Sequence, residues 1–174
     1  RDFAGKRGQN CAIETLEAGS VMVVGLGNPE TVSSLDWLNL AGTAARTGES
    51  QGAKSVVVLL PDTEAPLDGI MELVARGAVM GTYAFTTYKT KSKEPKLRKV
   101  QFGLGSGKLD TADRKALSAS VERGIIIGEG VCTGRDLVNE PPNELYPESF
   151  ADRAKAMSDE IGLKIKVMGP TQLK

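Results

Sequence analysis

The sequence predicts an α/β fold, a three-layer sandwich in which a mostly parallel sheet lies between helices. Short apolar or β-branched runs are each followed by a stretch with helical spacing, a pattern typical of that class. Parallel neighbours in a sheet need a long crossover, and the intervening helices supply it. The 174 residues, 40% of them hydrophobic, suffice for one such domain and a short extension.

The predicted strands differ in their expected exposure. Residues 11–15 form a candidate edge strand, whereas the apolar run at 21–24 is typical of a central strand covered on both faces. Residues 55–60 and 100–104 are the next two strands. Residues 163–167 alternate apolar and lysine side chains, which predicts a last strand exposed on one face.

The first two helices follow the second and the third strand. Asn28 can cap a helix that Pro29 opens and that ends near Gly48. Apolar side chains at helical spacing predict the second helix from Leu67 to Gly81.

A long third helix is predicted from a cap at Asp110 or Thr111 to about Asn139. Small residues lie on its apolar stripe at Gly124 and Gly128. Because glycine costs about 1 kcal/mol inside a helix, we expect these positions to allow a close approach to a neighbouring element. A fourth helix is predicted over residues 147–161, closed by a glycine.

The composition excludes several classes of function. The 22 basic and 22 acidic residues cancel, so no overall field attracts nucleic acid or an anionic membrane. The chain has no histidine, which is the commonest general base and transition-metal ligand. Cys11 and Cys132 have no CxxC spacing, and we interpret them as core thiols of a reducing compartment.

No apolar run approaches the length of a membrane span, and no leader pattern opens the sequence, so we expect a cytoplasmic protein without a membrane partner. The chain starts at Arg1 without methionine and ends at Lys174 just after a predicted turn. We therefore hypothesise that it is a piece of a longer protein.

Two glycine-rich loops follow predicted strands, where a phosphate loop would lie. Gly25 and Gly27 fit the start of a dinucleotide motif, but Glu30 takes the third glycine position and would repel a pyrophosphate. A tight strand-to-helix turn is the favoured interpretation. The loop at residues 103–107 precedes Lys108 without the Walker spacing, so phosphate binding is disfavoured there also.

Basic residues crowd around Glu94 in the predicted connection before the third parallel strand. The cluster consists of Lys89, Lys91, Lys93, Lys96, Arg98 and Lys99. No aromatic residue lies among them, so a solvated loop is favoured over a nucleic-acid contact.

The segment GRDLVNEPPNELYPESF, residues 134–150, interrupts two predicted helices. Pro141 and Pro142 cannot continue a helix, and each disfavours the helical conformation at the preceding residue, so the long helix should end near Asn139. Pro147 suits the first position of the next helix.

This segment resembles a known family. TGRDLVNEPPN at residues 133–143 is similar to the connector of the leucyl aminopeptidases (cytosol aminopeptidases, peptidase family M17), whose wording is close to TRDLxNxPxN. Further similarity lies at residues 3–6, 23–27, 81–85, 88–89 and 169–174. Gly134 departs from the family wording, as does Tyr146, which replaces a helix-capping threonine, so we expect the fourth helix to fray at its start.

The resemblance implies a peptidase that removes N-terminal residues, leucine favoured, from peptides. Family members have a macro-type N-terminal domain, a connecting helix, a catalytic domain with two divalent ions, usually zinc, manganese or magnesium, and a hexameric assembly. The family's metal ligands match nothing in residues 1–174, so we assign no catalytic, cofactor-binding or metal-binding residue to this chain. The implied division is a macro-like domain at 1–132, a connector at 133–150 and the start of the catalytic domain at 151–174.

The candidate site is the interdomain connector, with six residues: Arg135, Asp136, Asn139, Pro141, Pro142 and Asn143. Arg135 and Asp136 are candidates for bracing the connector helix through charge-assisted hydrogen bonds. Asn139 and Asn143 are candidates for satisfying backbone groups freed around the prolines. The alternative is an ordinary solvated linker.

The leading hypothesis is a non-catalytic portion that serves scaffolding and oligomer assembly. Its partners would be its own catalytic domain and the sister subunits of a homohexamer. A nucleotide or ADP-ribose module, with Gly25, Gly27 and residues 103–107 as its cradle, is one alternative. The other is DNA binding through the basic loop at residues 89–99, which some bacterial relatives of this domain suggest and the balanced charge disfavours.

Overall fold

The computed structural model describes residues 3–15, 19–91, 94–105 and 109–172. They form two compact units, Arg1–Thr133 and Gly134–Lys174. The elements in chain order are β1 Asn10–Thr15, β2 Gly19–Val24, α1 Ser34–Gln51, β3 Ser55–Leu60, α2 Leu67–Gly81, β4 Lys99–Leu104, α3 Thr111–Asn139 and α4 Pro147–Ile161. The predicted α/β class is confirmed.

The four strands pair in two ways. β3 and β4 are parallel, with Val58 beside Phe102, and α2 provides the crossover between them. β1 and β2 form an antiparallel hairpin. Within the described residues β2 pairs only with β1, so the prediction of a central strand covered on both faces is wrong. Val21 and Val23 are exposed because strand side chains alternate and only Met22 and Val24 reach the core.

The core of the first unit lies between α1, α2 and one face of β3. Its largest members are Trp37, Leu40, Val58, Leu60, Ile70, Met71 and Val74. On the other face of β3, Val57 and Leu59 are 59% and 71% exposed. That face of β3 is therefore not covered by a helix among the residues that the structure describes.

Glycines bring α1 and α2 into backbone contact. A Cβ placed on Gly77 would clash with the carbonyl oxygen of Leu38, and one on Gly81 with that of Gly42. Helices joined in this way pack closer than large side chains would allow. α1 and α2 thus form one layer whose apolar side chains share the core with β3.

The expected close packing of Gly124 and Gly128 is confirmed. A Cβ on Gly124 would lie 2.9 Å from the Cβ of Ala75, and one on Gly128 would lie 3.0 Å from the Cβ of Val79. Both neighbours belong to α2. The glycines therefore let α3 lie directly against α2.

The predicted bounds of α1 are wrong at both ends. Asn28 caps only a 3₁₀ turn at Pro29–Thr31, its Oδ1 accepting from the N–H of Glu30 at 3.1 Å. The helix itself starts at Ser34, where the N–H and Oγ of Ser33 donate to Asp36 at 2.8 and 2.6 Å. It continues to Gln51 because Gly48 is a packing position, and Gly52, with a φ of 76°, closes it.

In the second unit, α4 has the predicted bounds, and Gly162 closes it with a φ of 72°. Residues 163–167 are irregular, so the predicted last strand is wrong. A strand needs a partner for its backbone groups, and no described residue pairs with this run. Its apolar side chains Leu163, Ile165 and Val167 are exposed.

Candidate functional site: the proline-rich connector

The end of α3 carries three of the six predicted connector residues. Arg135 and Asp136 are exposed on its last turns, and Asn139 is its final residue, as predicted. The carbonyl oxygen of Asp136 accepts from the N–H of Glu140 at 3.1 Å, which extends the helical hydrogen bonding by one residue. The helix stops there because Pro141 has no N–H to continue it.

The prolines form a compact turn after the helix. The carbonyl oxygen of Pro141 accepts from the N–H groups of Glu144 and Leu145, both at 2.9 Å. Pro142 and Asn143 are exposed in this turn. Asn143 donates from Nδ2 to Oε1 of Glu144 at 3.4 Å, a side-chain contact. The turn thus satisfies the Pro141 carbonyl with backbone groups, while the predicted roles of Asn139 and Asn143 stay predictions.

The residue that sequence reasoning missed is Glu140. Its Oε1 lies 3.0 Å from Nη1 of Arg153 on α4, and its side chain is only 7% exposed, against 42% for Arg153. The sequence did contain a signal for this ion pair, namely an acidic residue next to the prolines and a basic residue in the second turn of the following helix. Only the folded turn brings these two side chains together.

Ser149 organises the start of α4. Its Oγ accepts from the N–H of Tyr146 at 3.0 Å and lies 2.8 Å from the carbonyl oxygen of Glu144. This contact pairs the N–H of the capping residue, as the second half of a capping box does. The hydrogen bond from the N–H of Tyr146 to Ser149 therefore counteracts the fraying expected at the start of α4.

The first glycine loop pairs with residues 5–9 and leads into the 3₁₀ turn at Pro29–Thr31, not directly into α1. The N–H of Gly25 donates to the carbonyl oxygen of Gln9 at 2.7 Å, and that of Gly27 donates to Gly5 at 3.0 Å. These two donors would have to bind a phosphate in the nucleotide-module hypothesis, and residues 5–9 already use them. In the second loop, Gly103 lies within β4, and Gly107 and Lys108 lie outside the described residues.

Residues 5–9 are held against α1 by an ion pair. Nε of Arg7 lies 2.9 Å from Oδ1 of Asp36, and its Nη2 donates to the carbonyl oxygen of Thr31 at 2.6 Å. The pKa of Asp36 is lowered mainly by the hydroxyl and N–H of Ser33, with a smaller contribution from Arg7, against the opposing effect of burial.

The basic loop is attached to the end of α1 through Glu49. Its carboxylate accepts from the N–H of Leu97 at 2.8 Å and from that of Lys96 at 3.0 Å. These backbone hydrogen bonds lower the pKa of Glu49. The described basic side chains of the cluster are exposed, as a solvated loop requires, and Lys93 lies outside the described residues.

The described residues do not fit a two-metal centre. No group of three or more His, Cys, Asp or Glu among them is positioned to hold a metal ion. Cys11 and Cys132 are not joined in a disulfide and are only partly buried, so their interpretation as core residues is wrong. No helix among the described residues combines the length and apolar character needed to cross a membrane.

The described chain thus places a mixed α/β arrangement first, then a long helix, and then a proline-rich turn. The sequence model described as "Cytosol aminopeptidase family, N-terminal domain" matches residues 1–92. The chain belongs to the cytosol aminopeptidase family.

The chain is similar to one curated relative and two solved structures described below. A "Probable cytosol aminopeptidase" of Mycobacterium tuberculosis (strain H37Rv) is 36% identical, covering 94% of this chain and 30% of the relative. The solved structure of the bottromycin maturation enzyme BotP in complex with Mn is 26% identical with a TM-score of 0.76, covering 98% of this chain and 34% of that one. A mutant of tomato leucine aminopeptidase has 26% identity and a TM-score of 0.78, with coverage of 98% and 34%. The chain thus spans about a third of the length of the relatives it matches.

Proposed function

We propose that this chain is the non-catalytic N-terminal portion of a two-metal leucyl-type aminopeptidase, in which it serves scaffolding and oligomer assembly. The observation that carries the proposal is the match of the family's N-terminal domain to residues 1–92. A two-ion centre needs several oxygen or nitrogen ligands, and the family resemblance assigns none of them to residues 1–174.

The parent enzyme would remove N-terminal residues, preferably leucine, from peptides in the cytoplasm. Its two divalent ions, manganese or zinc, would be held by residues outside this chain. The solved complex of BotP with Mn supports manganese. Its subunits would form a homohexamer. The N-terminal portion would contribute contact surface to this assembly and no catalytic residues.

We assign residues 1–132 to the N-terminal domain, 133–150 to the connector and 151–174 to the start of the catalytic domain. The second unit supports this division through its exposed apolar side chains. They lie on α4 and in the run after it: Phe150, Met157, Ile161, Leu163, Ile165, Val167 and Met168. So many exposed apolar residues in a short segment are expected where further chain covers them.

Arg135 and Asp136 would brace the connector helix in the intact enzyme, because both are charged, exposed and close to the end of α3. Arg135→Ala in the parent enzyme tests this role. We expect weaker assembly, lower activity or both, measured by sedimentation and by hydrolysis of a leucine amide. Unchanged assembly and activity would remove the bracing role and leave a solvated linker.

The proposed division of labour is tested by comparing two polypeptides, this 174-residue chain and the parent enzyme. Both are assayed with a leucine amide and Mn²⁺ after circular dichroism has shown that each is folded. We expect hydrolysis by the parent enzyme only. Turnover by the short chain that is abolished by a chelator would contradict the proposal, because the ligands would then lie within residues 1–174.

A further inference from the structure

We propose that the ion pair of Glu140 with Arg153 is a latch that fixes the direction in which α4 leaves the end of α3. Glu140 follows the last residue of α3, and Arg153 lies in the second turn of α4, thirteen positions later. The contact closes the proline turn between them. The inference deepens the proposed connector role and rests on it for its functional meaning.

Burial distinguishes this ion pair from the pair of Asp152 with Lys155 in the same unit. The side chain of Glu140 is 7% exposed, while Asp152, which pairs with Lys155 at 3.3 Å within α4, is 74% exposed. An exposed pair contributes little because water screens it. Loss of Arg153 removes a cation 3.0 Å from a carboxylate that water screens poorly, so the molecule favours arrangements that keep the pair together.

Several hydrogen bonds of the turn join residues that are close in sequence. The carbonyl oxygen of Pro141 binds the N–H groups of Glu144 and Leu145, and the contacts of Ser149 reach back only to Glu144 and Tyr146. These hydrogen bonds shape the turn and start α4. The Glu140 carboxylate reaches one turn further along α4 than these hydrogen bonds do, and it can therefore fix the direction of α4 relative to the last turn of α3, residues 136–139.

The test is a distance measured between the helices in the 174-residue chain. Spin labels are placed at Val138 on α3 and Asp159 on α4, both exposed, after the native Cys11 and Cys132 have been replaced by alanine. Double electron–electron resonance then gives the distribution of distances. With the latch intact we expect one narrow distribution.

Two substitutions open the latch, and two controls leave it closed. We expect Glu140→Gln and Arg153→Met to reduce the fraction of molecules at the native distance by roughly half or more. Arg153→Lys, which keeps the positive charge, should restore most of that fraction. Asp152→Asn, which breaks only the exposed pair, should leave the distribution unchanged.

The outcomes separate the latch from the proposed function. A native distribution in both Glu140→Gln and Arg153→Met would overturn the latch, as would equal broadening by Arg153→Lys and Arg153→Met. If Glu140→Gln or Arg153→Met weakens folding, the distance distributions of Arg153→Lys and Arg153→Met are compared instead. The two variants differ in the positive charge at position 153, so their comparison still shows whether that charge holds the native distance. The measured distances do not depend on peptidase activity. If the parent enzyme proved inactive, the proposed function would be wrong, while the distances would still test the latch.

Discussion

The two units of the chain keep their shape by different means. In Arg1–Thr133 the helices and strands bury a continuous apolar core, in which Val74 and Ala45 have no exposed surface. In Gly134–Lys174 the one residue classed as buried among those described is Ser158, and the apolar side chains of α4 are exposed or half-buried. The first unit is thus stabilised by hydrophobic burial, and the second by turns, helix caps and an ion pair.

The largest expected effect breaks the core of the first unit. Trp37→Ala should lower the free energy of unfolding by about 3–5 kcal/mol, because it removes a large side chain from a packed interior and leaves a cavity. Phe150→Ala on α4 is the matched control, and since Phe150 is half-exposed we expect a loss of about 1 kcal/mol or less. Urea unfolding followed by far-ultraviolet circular dichroism measures both. Equal losses would contradict the contrast between the units.

A second substitution tests the backbone contact between α1 and α2. Gly77→Ala should destabilise the chain by about 1–3 kcal/mol, because the new methyl group would meet the carbonyl oxygen of Leu38. Gly130→Ala on α3 is the control, since no atom of another element lies within 4 Å of its added Cβ. There alanine should stabilise the helix by about 0.5–1 kcal/mol. The same sign at both positions in thermal unfolding would show that α1 and α2 are not in backbone contact.

Acid should weaken the attachment of residues 5–9 to α1. The pKa of Asp36 is lower in the folded chain than in the unfolded one, so its stabilising contribution is present above the unfolded value, about 3.9. That contribution is lost as the pH falls through the folded pKa. Asp36→Asn should therefore lower stability at neutral pH and flatten its dependence on pH in the acid range.

Asp152→Asn is the control for this dependence, because Asp152 is an exposed carboxylate on the second unit. Unfolding curves of the three proteins, recorded from neutral to acid pH, are compared. A pH dependence in Asp36→Asn as steep as in the unsubstituted chain would exclude Asp36 as its source.

The features that the sequence predicted well depend on neighbouring residues. The ends of α4 follow from Pro147 and Gly162, and the end of α3 follows from Pro141. Glycine at helical spacing was a sufficient signal for the packing of Gly124 and Gly128, because a glycine in a helix interior needs a steric reason.

The failures depend on parts of the chain that are distant in sequence. An apolar strand such as β2 has the same local pattern whether one face or both are covered, so its exposure could not be read from residues 21–24. The run at 163–167 has strand alternation without a described partner. The contact of Glu140 with Arg153 requires the folded turn, which no spacing rule specifies.

The smallest effect is expected in the second unit. Leu163 is 60% exposed, so Leu163→Ser should change the free energy of unfolding of the 174-residue chain by no more than about 0.5 kcal/mol. In the parent aminopeptidase the same side chain would be covered by further chain, and its replacement should cost about 1.5–3 kcal/mol. Urea unfolding of both polypeptides gives the difference.

Leu40→Ala in the core of the first unit is the matched control, because its surroundings lie within residues 1–174 and its cost should be the same in both polypeptides. A larger loss for Leu163→Ser in the parent enzyme, together with an unchanged loss for Leu40→Ala, would show that the second unit completes its apolar burial with other residues. If Leu163→Ser causes the same small loss of stability in both polypeptides, the apolar residues at 163–167 are exposed to solvent in the parent enzyme as well. The assignment of residues 151–174 to a second domain would then lose its physical support.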